Sequence, residues 1–270
     1  MLPTQKSAAS PTFAVDRVSV SMEGRAVLED VSFEVGPGER VVVVGVNGCG
    51  KTTLLRLLDG LAFPDAGEVR YAGRGLHARA LDEAAFRRRF RSEVGLLFQN
   101  VDAMLFNPTV EDEIAFGPRQ LGLDDVAGRV ARWAETFRVG GLLDRAPFEL
   151  SGGEKKRVAL AALLAVEPRV ILLDEATANL DPSSVGTLVD VLAAIPGLTI
   201  VASTHNLSMA SELGDRAVLL APGRRGVLHD GGVHDLLHDE RLLVESGLAH
   251  RHAHRHGGHA HAHYHVHDAE

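Results

Sequence analysis

RVVVVGVNGCGKTT, Arg40 to Thr53, constrains this chain more than any other stretch. A β-branched run without polar alternation predicts a strand covered on both faces, and KTTLLRLLDGL after it has helical spacing. Between them, Gly45-Val46-Asn47-Gly48-Cys49-Gly50-Lys51-Thr52 fits G-x-x-x-x-G-K-[ST]. Such a loop cradles phosphate. Its glycines let backbone amides turn inward around a β-phosphate, the helix start adds positive potential, Lys51 reaches the β- and γ-phosphates, and the Thr52 hydroxyl ligates Mg2+. The alternative, an ordinary glycine turn with an exposed lysine, would need neither flanking element.

A triphosphate so held still needs a carboxylate for the metal and a base to aim water. VILLDE, Val170 to Glu175, ends an apolar run with both. Asp174 can orient Mg2+ through its water shell, and Glu175 is placed to polarise the attacking water; two solvated acids opening a helix are the alternative. LSGGEKKRVALA then sets Ser151-Gly152-Gly153 before a long helical pattern, so the serine caps while the glycine amides offer a second phosphate-binding helix start. One nucleotide already has its loop. A second cradle suggests service to the nucleotide of another chain.

With 270 residues, 45% of them apolar, the chain can build one large α/β domain or two small ones. Thirty-six acidic against 28 basic side chains give a net charge of −8, which argues against a nucleic-acid partner, because phosphate binding leaves a basic footprint. The single cysteine, Cys49, excludes an internal disulfide. No basic, apolar, cleavable pattern opens the chain, and apolar stretches such as Val41–Val44 and Val158–Val166 fall short of the roughly 20 residues that span a bilayer. A cytosolic chain that meets the membrane through a partner is expected.

MLPTQKSAASP, residues 1–11, is small and polar, and disorder is expected there. FAVDRVSVS and AVLEDVSFEV alternate apolar with polar residues around the turn MEGR and predict antiparallel β. EVGLLFQ, RVILLDE and LTIVAST read as strands among helical stretches such as GEKKRVALAALLAVE and SSVGTLVDVLAAI, the pattern of a mostly parallel, covered sheet. Residues 100–153 lack long apolar strands, and TVEDEIAFG and DDVAGRVARWAETFRV predict a helical insertion. GGVHDLLHDERLLVESGL predicts a further helix. Beyond a domain over residues 12–248, the stretch 249–270 collapses into alternating histidines whose spacers cannot build a core, so an unstructured tail is expected.

Together these motifs resemble the ATP-binding-cassette (ABC) ATPases, from Phe13 to about residue 245. GVNGCGKTT is similar to the Walker A loop, LSGGE to the family signature, and VILLDE to the Walker B strand. Gln99 resembles the glutamine-loop residue that senses Mg2+ and the membrane partner, ANLD (Ala178 to Asp181) the D-loop, and His205 the switch histidine at the γ-phosphate. The resemblance implies an α/β P-loop NTPase fold, with a mostly parallel core sheet, an N-terminal antiparallel β subdomain and a helical subdomain. It implies ATP as substrate, Mg2+ held by Thr52, Gln99 and Asp174, and catalysis by Glu175, His205 and Lys51. Nucleotide contacts are implied for Met22, Gly45, Val46, Asn47, Gly48, Cys49, Gly50, Lys51, Thr52, Thr53 and Gln99, and for Ser151, Gly152, Gly153, Glu154 and Asp181. In that family two chains sandwich two ATP molecules, each between one chain's Walker A and the other's signature, and hydrolysis opens the sandwich.

FQN followed by LFNPTVEDEIAFGPRQLGL is similar to the energy-coupling-factor importers, particularly their cobalt and nickel ATPase subunits. Integral membrane transport subunits are then implied as partners, with a groove in the helical region for their coupling helix and a peripheral place on the cytoplasmic face of the membrane. Because Lys51, Ser151, Asp174, Glu175 and His205 are all present, a homodimer with two competent sites is compatible, as is a heterodimer with two intact sites.

Some residues depart from the pattern. Met22 stands where an aromatic residue usually stacks on adenine; a thioether can still pack against a ring, so weaker base affinity is expected. Cys49 replaces the commoner serine, where space-filling is a simpler role than redox control. Ala176 replaces a proline and Asn206 an aspartate, leaving Glu175 and His205 intact, while Ala103 and Met104 replace residues common in metal-importer relatives.

Nine of the 14 histidines close the chain: His250, His252, His254, His256, His259, His261, His263, His265 and His267. Neutral imidazole suits nickel, cobalt, zinc and copper. Near a reference pKa of 6.5 most are neutral at pH 7 and roughly nine in ten are protonated at pH 5.5, so capture of nickel or cobalt should fade with acid. A solubilising tail is the alternative. In an ATPase that powers metal import, the tail would receive, buffer or sense the ion. His77, His229, His234 and His238 are scattered and read as surface or loop residues.

Three rivals share parts of this pattern. A nickel-insertion GTPase would combine a P-loop with histidines, but no asparagine here is followed by the lysine of N-K-x-D, and LSGGE has no place there. A non-transport ABC ATPase of chromosome maintenance would carry long coiled-coil insertions; one of iron–sulfur assembly is opposed by the glutamine-loop resemblance and the tail. An importer ATPase for zinc, a vitamin or another small solute would run the same ATP chemistry.

Overall fold

The computed structural model describes residues 10–221, 225–256 and 259–266, and from residue 250 onward it gives the backbone course alone. Residues 1–9 of the expected disordered start and His267 of the histidine series lie outside the described residues. Phe13–Met22 (β1) and Arg25–Val35 (β2) form the expected hairpin, paired from Phe13↔Val35 to Met22↔Arg25. Its register shifts near Arg17 and Asp30, at left-handed φ of 47° and 51°. Their amides donate to Ser32 Oγ (2.8 Å) and Ser19 Oγ (3.0 Å), so neither irregularity orphans these donors.

Arg40–Val44 (β3) leads to Lys51–Leu58 (α1), then Ala66–Tyr71 (β4) and Arg74–Gly75 (β5) extend the hairpin into a sheet of order β2-β1-β4-β5. Ala78–Asp82 (α2) and Ala84–Glu93 (α3) precede Val94–Leu97 (β6). Val110–Leu121 (α4), Val126–Thr136 (α5) and Gly152–Leu164 (α6) follow. Val170–Asp174 (β7), Pro182–Ala194 (α7), Thr199–Thr204 (β8), Leu207–Leu213 (α8), Arg216–Leu220 (β9) and Val227–Gly232 (β10) complete a second sheet of order β10-β9-β3-β8-β7-β6. Only β10 is antiparallel in it.

That second sheet divides two cores. Val42, Val44, Ile171, Leu173 and Ile200 face Ile114 and Trp133 of the helical region and Leu160 of α6. Val41, Val43, Val170, Leu172 and Val201 face the other core, with Phe13, Leu28 and Phe33 of the antiparallel sheet and Leu54 and Leu58 of α1. Burial on both faces is why these strands are apolar throughout. Each fully buried Leu or Val contributes about 1.5–3 kcal/mol, so the strand ends are held by packing before any polar contact is made.

Two expectations differ from the structure. GGVHDLLHDERLLVESGL is not one helix but two, Val233–His238 (α9) and Glu240–Glu245 (α10), because Asp239 breaks the run and caps α10 by accepting from Leu242 N at 3.0 Å. The histidine stretch, expected to be unstructured, follows as Ala249–His256 (β11) and His259–Val266 (β12), a two-stranded antiparallel ribbon. Its strict alternation has the period of a strand.

The C-terminal cap of α1 carries a titratable constraint. Asp59 is 5% exposed, and burial pushes its pKa up to about 6, although Arg91 Nη1 donates to its Oδ2 at 3.0 Å and opposes the shift. Between about pH 6 and pH 4 the folded chain therefore holds a proton that the unfolded chain lacks, so this group's contribution to stability grows as pH falls. Denaturant titrations of the wild type and Asp59→Asn from pH 7.5 to 4.5 should show the wild type gaining on the variant by as much as about 2–3 kcal/mol. A constant difference across that range would contradict the burial assigned to Asp59.

Candidate active site

Parallel pairing sets the C-terminal ends of β3, β8 and β7 side by side, with Val44 opposite Thr204 and Asp174 opposite Ser203. Open α/β sheets bind ligands beyond that edge. The loop after β3 enters α1 through Gly50 at φ 104°, where a Cβ would lie 2.6 Å from Leu28 Cδ2. At Gly45 a Cβ would lie 2.6 Å from the Leu220 carbonyl oxygen, so the loop tolerates only glycine at both places. Helix α1 has no capping side chain and no acid in its first turn, whereas Thr109, Asp125, Ser151, Asp181 and Asn206 cap α4, α5, α6, α7 and α8. Its first amides are open to an anion.

Lys51 is 6% exposed. Its Nζ donates to the Gly45 carbonyl at 2.7 Å and stands 3.5 Å from Glu175 Oε1; His205 Nδ1 lies 2.9 Å from that same oxygen. The Glu175 carboxylate thus sits between an ammonium and an imidazole. On the neighbouring carboxylate, Thr52 Oγ1 donates to Asp174 Oδ2 at 2.8 Å and Ser203 Oγ donates to Oδ1 at 2.6 Å.

Glu175 takes a left-handed backbone, φ 49°, which is costly for any residue with a side chain. It is held on both sides: its amide donates to Ser203 Oγ at 3.1 Å, and Lys156 Nζ donates to its carbonyl at 3.0 Å and also to the Ala178 carbonyl. Lys156 is buried, and desolvation draws its pKa below the usual lysine value against the pull of Glu175 and Asp174. Sequence reasoning missed both Ser203 and Lys156. A serine closing the apolar run LTIVAS two residues before His205 was a usable signal; a lysine inside GEKKRV gave none.

A cavity of about 350 Å³ opens among these groups, with Lys51, Thr52, Glu175 and His205 in its wall. Asn47, Gly48, Gly50 and Thr53 line it from the loop and α1, and Gln99 from beyond β6. Val46 is half-buried. Cys49 is buried beneath the loop, and desolvation pushes its thiol above the ordinary value, which suits a space-filler rather than a reactive thiol. Met22 is 41% exposed and outside the cavity lining.

The remaining sequence candidates stand apart from that cavity. Ser151 and Glu154 form a capping box at the start of α6: Ser151 N donates to Glu154 Oε2 at 2.8 Å and Glu154 N to Ser151 Oγ at 3.4 Å. Hydrogen bonds from Ser151 hold Glu154 below the usual carboxylate range. Gly152 is exposed with open space where its Cβ would be, Gly153 is half-exposed, and Asp181 caps α7 through Ser184 N at 3.0 Å.

An uncapped helix start beside a buried ammonium fits a triphosphate. Adjoining hydroxyl and carboxylate oxygens at Thr52 and Asp174 fit Mg2+, a hard cation that takes oxygen ligands. Among the described residues no three His, Cys, Asp or Glu side chains gather as a metal site, and no helix is long and apolar enough to cross a membrane.

A family model described as ABC transporter matches residues 28–178. The nickel import ATP-binding protein NikO of Rhodobacter capsulatus is 41% identical over 222 residues, 80% of this chain and 87% of that protein. The energy-coupling factor transporter ATP-binding protein EcfA of Methanoculleus marisnigri is 41% identical over 226 residues, 82% of this chain and 79% of that protein. The solved structure of cbiO1 from Clostridium perfringens, part of the ABC transporter complex cbiONQ, superposes with a TM-score of 0.71 at 26% identity, covering 87% of this chain and 93% of that one. The matched segment opens at Leu28, which packs behind Gly50, and closes at Ala178, which Lys156 holds, so it spans both the phosphate loop and the acidic strand end. This chain belongs to the ABC transporter ATPases, a family of ATP-hydrolysing, ATP-binding proteins.

Proposed function

We propose that the chain is the ATP-binding and ATP-hydrolysing subunit of a membrane importer whose cargo is nickel or cobalt. One observation carries the catalytic half: the Glu175 carboxylate faces an ammonium and an imidazole at the rim of the cavity. With ATP in place, the loop amides and Lys51 hold the β- and γ-phosphates. Glu175 accepts the proton of the attacking water, and His205 orients toward the γ-phosphate. Thr52, Asp174 and Gln99 would hold Mg2+, which would supply charge neutralisation at the phosphate oxygens. Lys51 then draws on its ammonium for the triphosphate instead of for Gly45.

Ser151 and Gly152 lie exposed and Gly153 half-exposed at the start of α6, away from this chain's own cavity. On this reading they close over the nucleotide of a second copy, making a homodimer with two sites, and Asp181 approaches the same interface. The domain spans residues 12–248, with residues 100–153 as the helical region that meets the membrane subunits at the cytoplasmic face. Phe106 and Phe116 support that contact: they are 66% and 38% exposed, and their rings meet edge-to-face at 4.9 Å.

Nickel or cobalt is favoured by the likeness to NikO and by the histidine series, which supplies imidazoles suited to either ion. The likeness to EcfA, whose name carries no metal, supports the second reading, an importer ATPase for zinc, a vitamin or another small solute. Co-purifying the chain with its membrane subunits and measuring uptake of labelled nickel and cobalt separates the two.

Glu175→Gln should trap an ATP-bound dimer with turnover down about 10²–10⁴-fold, and Lys51→Ala should abolish nucleotide binding; brisk hydrolysis by either would strip that residue of its role. Removing everything from His250 onward should leave ATP hydrolysis unchanged while reducing nickel or cobalt retention in cells. Metal handling identical to the full chain would end the functional reading of the tail.

A further inference from the structure

The backbone of the histidine series sets its residues in opposed pairs. Across β11 and β12, His250 stands opposite His265, His252 opposite His263, His254 opposite His261, and His256 opposite His259. Within each strand these positions have one parity, so all eight share one face of the ribbon, while Arg251, Ala253 and Arg255 share the other with Ala260, Ala262 and Tyr264. At its base, Ala249 is buried in the same core as Leu243 and Leu248, which ties the first strand to the domain.

This register has a chemical consequence. Opposed residues on an antiparallel pair have Cβ atoms about 4.5–5.5 Å apart, and the next residue on the same face lies about 7 Å further along. Two imidazole nitrogens on one ion, each about 2.0–2.1 Å from it, lie within about 4 Å of each other. Two adjacent cross-strand pairs therefore gather four histidine positions over a span comparable with the donor set of one ion. A series on a free chain would have to order itself around the metal, whereas a ribbon has met much of that cost on folding.

We propose that the ribbon binds two divalent transition-metal ions, each where the register sets two adjacent cross-strand histidine pairs together: the positions of His250, His252, His263 and His265 nearer the domain, and those of His254, His256, His259 and His261 at the far end. The inference rests on the reading of the histidine series as metal-binding and adds its architecture: the site is defined by register across strands, not by local histidine density.

Two four-histidine variants of the full chain test it, titrated with Ni2+ at pH 7.5 in isothermal calorimetry beside the wild type and a chain ending at Ala249. The first carries His250→Ala, His252→Ala, His263→Ala and His265→Ala; it removes one site and leaves the other whole. The second carries His250→Ala, His252→Ala, His254→Ala and His256→Ala, and leaves four closely spaced histidines on one strand with no partner opposite. The wild type should bind about two ions per chain, the first variant about one at unchanged affinity, and the second should bind at least about ten-fold more weakly. Equal binding by the two variants would overturn the paired sites while leaving a metal-binding tail. Wild-type binding no stronger than that of the chain ending at Ala249 would overturn both.

Discussion

Asp174 is the point on which the site turns. Thr52 of α1 reaches one of its oxygens and Ser203 of β8 the other, so one carboxylate joins the phosphate loop, the acidic strand and the strand that leads to His205. That joint depends on register. Asp174 stands opposite Ser203 because β7 and β8 pair in parallel from Val170↔Thr199 onward. A one-residue slip would exchange Ile171 and Leu173 with Val170 and Leu172 between two different cores. Packing on both faces of the sheet therefore fixes the carboxylate to within a hydrogen bond, and the polar contacts refine a position that burial has already chosen.

How much of this was legible in the sequence follows from how local each signal is. The phosphate loop is determined by a dozen consecutive residues, and its strand, glycines and helix were readable without the fold. Ser203 and Lys156 were not, because the one matters through a strand pairing 29 residues away and the other through two carbonyls beyond β7. Strands β4, β5, β9 and β10 went unread for a related reason: Arg74–Gly75 is too short to show a period, and VLHDGG has no alternation. In the helical region the periodicity of α4 and α5 was plain because each buries one stripe, Val110, Ile114 and Pro118 in α4 and Val130 and Trp133 in α5. The ribbon was missed because composition was weighed above period; alternating His-x cannot build a core, yet it pairs as backbone.

The two helix starts named as phosphate cradles differ in a way that the sequence hid. Gly50 gives α1 no capping group, and the first turn of that helix carries the Lys51 ammonium and no acid of its own. Ser151 gives α6 a full capping box in which Glu154 already serves the serine's amide and hydroxyl. An anion at α1 meets open amides and positive charge, while one at α6 meets a carboxylate in its first turn. The stronger site for a triphosphate is thus the loop after β3, and α6 is suited to completing an enclosure that another element begins.

Lys156 links that second helix start to the first. It lies on α6, five residues after Ser151, and its buried ammonium bonds the carbonyls of Glu175 and Ala178 just beyond β7. Desolvation of an ammonium is tolerated only while such acceptors remain in reach, so the helix cannot shift along its axis without exposing or orphaning the charge. The left-handed peptide at Glu175, which would otherwise cost about 1–3 kcal/mol, is held from the other side by Ser203. Helix α6 and the strand end bearing Glu175 therefore form one rigid unit inside a single chain. A nucleotide engaging the start of α6 would act on a body that already includes Glu175.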